Sequence, residues 1–174
     1  MTSHSLSHAI RNVLEQGRLF LDQTGEAMYA RPLKGVFSGS LGAHYRHVLD
    51  HFLCLIEGMR TGEIDYDRRK RNPELETSVD RARLVTESLA REFDSLPESV
   101  FDRDCVVTYC VAYGEAPSEA VESNVAREIM FCVGHAIHHY AILKLLCAQV
   151  GVELPYEFGI APSTLKYLET TARA

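Results

Sequence analysis

Six of the eight histidines in this 174-residue chain fall in two short windows, AHYRHVLDHF (43–52) and GHAIHHYAILKLLCAQVG (134–151). In the first, His44, His47 and His51 stand at i, i+3 and i+7, one stripe of a helix, beside the apolar positions Leu41, Val48 and Leu55. In the second, His135 and His139 are four apart and share a face, with His138 to one side. A buried neutral imidazole with an unsatisfied ring nitrogen costs on the order of 1–3 kcal/mol. Two interior-facing histidine stripes on different helices therefore call for a common partner. A bound ion supplies one. A histidine hydrogen-bond network, or accidental enrichment, is the bland alternative.

Helical periodicity sets the rest of the architecture. Residues 5–30 carry apolar side chains at Leu6, Ile10, Val13, Leu14, Leu19, Phe20 and Leu21, which predicts a first helix weakened at Gly17 and Gly25. Residues 31–39 read as a loop. Ser40 caps a second helix that stops at Gly62. After a polar connection, Thr77 or Ser78 caps a third helix that ends before Pro97. The Val-, Thr- and Tyr-rich stretch from Cys105 to Ser123 predicts a β-hairpin turning at a Gly-Glu-Ala-Pro sequence. Ser123 then caps a fourth helix, Asn124 to Val150, terminated by Gly151, and Pro162 opens a short last helix. The fold expected is all-α: a four-helix bundle forming a single domain over residues 1–174, decorated by a hairpin between helices 3 and 4 and by a short C-terminal helix.

Composition excludes several functions. The net charge of −6 argues against a nucleic-acid partner, since such binding rests on Lys and Arg neutralising phosphates. The basic run Asp67 to Arg71 reads first as a solvated, salt-bridged loop, and as a patch for an anionic substrate only second. No basic segment followed by an apolar core opens the chain, and no apolar run approaches a membrane span, so neither a signal peptide nor a membrane partner is expected. The cysteines Cys54, Cys105, Cys110, Cys132 and Cys147 are odd in number and lack CxxC spacing. They read as buried free thiols of a cytoplasmic protein.

Imidazole suits zinc, nickel, copper or iron, whereas calcium and magnesium prefer oxygen. One ligand from the second helix and two from the fourth make three, which leaves a coordination position for water or substrate. A di-iron site would need paired Glu-x-x-His motifs, and none is present. One divalent transition metal is expected, zinc first, with nickel or iron as alternatives.

On the motifs HYRHVLDHF and GHAIHHYAIL, with a third helix and a hairpin between them, the chain resembles the DinB/YfiT superfamily. The resemblance implies an up-down-down-up four-helix bundle holding a metal through three histidines near one end. Carried onto this sequence, the ligands are His47, followed by Asp50 where the family often has an acid, and His135 and His139. His44, His51 and His138 are extra to that pattern. They are expected, with Asp50, to orient the ligands from behind, and His51 or His44 could take the place of His47. The resemblance also implies a metal-dependent thiol S-transferase or hydrolase acting on a small molecule, with a low-molecular-weight thiol as partner. A non-catalytic metal- or ligand-binding stress-response protein is the alternative. Tyr45, Tyr66, Tyr140 and the arginines of the basic run are candidates to line the pocket, but no catalytic residue is singled out. Apolar first and last helices point to a homodimer.

Overall fold

The computed structural model describes residues 3–34, 39–114 and 117–172, and of Ser3 and His4 the backbone alone. Helix α1 spans Ser3–Gln23 and buries Leu6, Ile10, Val13, Leu14, Phe20 and Leu21. It stops short of the predicted Ala30. The Thr24 hydroxyl donates to the Phe20 carbonyl at 2.8 Å and Gly25 is extended, so the chain restarts as the single turn α2, Glu26–Tyr29. Helix α3 spans Leu41–Thr61. Ser40 caps it by accepting from the Ala43 amide at 2.9 Å, and Gly62 ends it at φ 83°. After the turn α4 (Glu74–Thr77), Ser78 caps α5, Val79–Asp94. The Glu26 carboxylate adds to that cap by accepting from the Val79 amide at 3.1 Å. Helix α6 spans Val125–Gln149 and α7 spans Pro162–Ala172, which buries no residue. The cap of α6 is Asn124, one residue later than predicted, because the Ser123 hydroxyl is turned instead to Glu128 at 2.6 Å.

The helix directions follow from the contacts. Arg11 meets Asp94 and Asp22 meets Arg83, so α1 and α5 are antiparallel. The pairs His44–His139 and His47–His135 make α3 and α6 antiparallel as well. The Tyr45–Thr86 bond and the Phe52–Phe93 contact make α3 and α5 parallel. The four long helices thus run up, down, down, up. They enclose a core of Phe20, Tyr45, Phe52, Ile129, Tyr140 and neighbours, all inaccessible to solvent.

The hairpin is present as β2 (Asp104–Tyr109) and β3 (Glu119–Asn124), paired from Asp104↔Asn124 to Tyr109↔Glu119. Its turn residues Glu115 and Ala116, like residues 35–38 of the first loop, lie outside the described residues. The sheet has a third strand that the sequence did not predict. Glu63–Asp65 (β1) pairs in parallel with β2. With three residues and one apolar side chain, β1 carries no readable periodicity; the left-handed turn at Gly62 lays it there. One expectation is corrected: α6 is long and apolar enough to cross a membrane by length and composition. In this fold it packs on α1 and α3 and carries histidines on the packed face.

Candidate metal centre

Antiparallel packing of α3 on α6 brings the two histidine stripes together. The ring-nitrogen ligand atoms of His47, His135 and His139 all lie within 4.8 Å of one another, and the three side chains are half-buried. The Nε2 atoms of His47 and His135 are 3.0 Å apart. In the free protein one of them must donate to the other, because two lone pairs facing at that distance repel. The rings of His47 and His139 are centred 4.5 Å apart and those of His135 and His139 4.6 Å.

His51 lies deeper, 1% exposed, its ring 4.2 Å from His135 and 4.6 Å from His47. Its Nδ1 is 2.8 Å from the His47 carbonyl and donates to it. That bond fixes the tautomer and leaves a lone pair on Nε2, which is buried and without a partner. Nδ1 of His139 is likewise buried and unpartnered. Such groups are costly in an apolar interior, and a cation placed among them relieves the cost.

Burial drives the pKa of His47 down to about 2, with His51, His139 and His135 adding to the shift. Burial first, then neighbouring charge, lowers His135 and His139 to about 4. His51 falls to about 4 through burial, against the opposing effect of its bond to the His47 carbonyl. At neutral pH all four are uncharged, the state in which imidazole ligates metal. The residues present therefore fit a transition-metal ion: three convergent neutral nitrogens, unsatisfied nitrogens beside them, and no carboxylate among the three.

The other predicted residues separate. His44 is half-buried with its ring 6.0 Å from His139, and burial lowers its pKa. His138 is exposed, 5.4 Å from the His139 ring. Asp50 is 3% exposed, one turn beyond His47. Burial raises its carboxyl pKa against the pull of Arg46, Arg69 and Arg71. The three tyrosine hydroxyls are engaged elsewhere. Tyr45 bonds Thr86 at 2.7 Å, Tyr140 donates to the Val13 carbonyl at 3.0 Å, and Tyr66 donates to Glu128 at 3.1 Å. Only the Tyr66 ring reaches the site, stacked on His51 at 5.4 Å. Burial holds Cys54, Cys132 and Cys147 at about 11 to 12, so none is a thiolate at neutral pH. Two of the five cysteines, Cys54 and Cys110, are half-buried rather than buried.

Glu128 is a support that sequence reasoning did not assign. It is fully buried and accepts from Tyr66, from Ser123 and from Arg127 at 2.8 Å, tying β1, β3 and α6 beneath the histidines. Its signal was a lone acid in the first turn of an apolar helix.

Fold and site together define a helical bundle with a histidine triad between two antiparallel helices. The fold is that of a DinB-like protein. The chain is similar to the crystal structure of the DinB-like protein YjoA from Bacillus subtilis, with a TM-score of 0.62 and 20% identity, covering 88% of this chain and 96% of that one. No family model matches. Over 106 residues, 61% of this chain, it is 29% identical to FK506-binding protein 5 of Rhizopus delemar. The match spans 28% of that protein's length.

Proposed function

We propose that His47, His135 and His139 hold one divalent transition metal, zinc first, with nickel or iron as alternatives, and that the protein is a cytoplasmic enzyme acting on a small molecule at that ion. The supporting observation is the convergence of three uncharged, half-buried imidazole nitrogens within 4.8 Å. Three ligands rather than four leave a position for an exchangeable group. A metal held by these three histidines would lower the pKa of a bound thiol or water, which would suit S-transfer from a low-molecular-weight thiol or hydrolysis.

The chain's own residues do the positioning. His51 holds the backbone of His47 through its Nδ1–H. Tyr66, anchored by Glu128, stacks on His51 and keeps that ring in place. Phe131 stacks on His135 at 5.7 Å and screens it from water. A second reading, a metal-binding protein without turnover, draws on the unpartnered Nε2 of His51, which could fill the open position.

Cobalt substitution separates the two. Three nitrogens plus water predict visible bands that shift on adding a thiol, together with faster consumption of an electrophile when the thiol is present. Bands unmoved by any thiol of a panel, with no turnover, would favour the non-catalytic reading.

A further inference from the structure

The basic run Arg68-Arg69-Lys70-Arg71 divides its charges by position. Arg68 lies 3.2 Å from Asp65, and Lys70 lies 3.5 Å from Glu57. Both line a groove along α3 with Arg60 and with Asp50, Glu57 and Glu92, three cations against three acids. Arg69 and Arg71 make no ion pair among the described residues. The strap is held in this register by Asp65, whose carboxylate accepts from the Asp67 and Arg68 amides at 3.0 and 3.1 Å. Arg71 itself sits at φ 47°, in the left-handed region that a non-glycine residue seldom adopts.

Arg69 is half-buried, and its Nη1 donates to the carbonyl of Tyr66, the residue whose ring stacks on His51. Its charge is felt at His47, His51, His135 and Asp50, and that of Arg71 at Asp50. Arg46, whose charge acts on Asp50 more strongly than theirs, lies 3.4 Å from Glu76 and keeps a buried Nε without a partner. Among the described residues, Arg69 therefore stands without an ion pair behind the residue whose ring stacks on His51, beside a cluster of neutral imidazoles, and a metal dication would raise the positive excess there. A guanidinium with free N–H groups is the natural receptor for a planar or tetrahedral oxyanion.

We propose that Arg69 is the anion-recognition residue of this site, so that its small-molecule substrate carries a carboxylate or phosphate group. This rests on the proposed function for the word substrate, but the binding itself needs only the strap and the histidine face.

The test is a titration of the full chain with acetate and, separately, inorganic phosphate. Ionic strength is held constant with chloride, and the arginine side-chain Nε–H signals are read by NMR on metal-free and metal-loaded protein. Saturable shifts are expected in the wild type and in Arg68→Gln. Arg69→Gln should weaken the binding about tenfold or more, and Arg69→Lys, which keeps the charge and loses the fork, should fall between. The arm that saturates at lower concentration names the substrate's anion. Linear, non-saturating shifts in the wild type, or equal binding by Arg69→Gln, overturn the proposal. Metal content of each variant, measured alongside, separates the two ideas. Anion binding without metal uptake leaves this inference standing and removes the metal reading; metal uptake without anion binding does the reverse.

Discussion

The imidazoles of the triad set the pH response of the metal-free protein. Histidine in an unfolded chain titrates near 6.5. In the fold His135, His139 and His51 are pushed down to about 4 and His47 to about 2. Between those values the unfolded chain binds protons that the folded chain refuses. Stability is therefore full above about pH 6.5, falls as the pH drops toward 4, and goes on falling more gently toward 2 as His47 alone still differs. Chelator-treated protein should lose several degrees of melting temperature between pH 7 and pH 5, and a flat profile over that range contradicts the assignment. The stripes themselves were legible, because i, i+3, i+4 and i+7 spacing fixes a face whatever it packs against. Which histidine lies deepest was not. His44, His47 and His51 share a stripe, but their depth depends on where α6 crosses it.

At the level of elements, close approach decides what periodicity leaves open. Gly17 reads in the sequence as a weak point of the first helix. In the fold it is the place where α3 and α6 press against α1. A Cβ there would lie 2.3 Å from the Tyr45 hydroxyl and 2.7 Å from that of Tyr140. Gly17→Ala gains helix propensity of about 1 kcal/mol but must displace two hydrogen-bonded tyrosines. A net loss of roughly 1–3 kcal/mol is expected in chemical denaturation, and a gain would mean that the tyrosines shift freely. Four long helices, Ser40 and Ser78 as caps and the hairpin were readable because each has a local signal. The break at Thr24 and the strand β1 were not. The first depends on one side-chain bond to Phe20, and the second on pairing with a strand some forty residues later.

Across the whole molecule, the sheet and the bundle meet at one buried carboxyl. Glu128 joins the Tyr66 end of β1, Ser123 of β3 and α6 directly below the triad. Glu128→Ala would take the carboxylate acceptor from the Ser123 hydroxyl, leave the Tyr66 hydroxyl only the Cys132 thiol at 3.4 Å, and open a cavity, costing about 1–3 kcal/mol for the lost hydrogen bonds. It should also loosen the Tyr66 ring on His51 and weaken metal uptake without removing a ligand. Metal affinity equal to the wild type would show that the triad is rigid without this support. Because α1 buries its apolar face in the core, a homodimer is proposed to form through α7, which exposes Tyr167 and Leu168, and sedimentation at about twice the 19.5 kDa chain mass checks it.

The central claim is that three histidines from two helices share one ion. Elemental analysis of the protein purified without added metal, beside His47→Ala, His135→Ala, His139→Ala and the control His8→Ala, tests it most directly. About one transition-metal ion per chain is predicted in the wild type and in His8→Ala. The three triad variants should have lost it, with a melting temperature lower by roughly 5–10 °C from the lost binding energy. No metal in the wild type after reconstitution, or equal metal in all four variants, would contradict the claim and leave the cluster as a hydrogen-bonded histidine network.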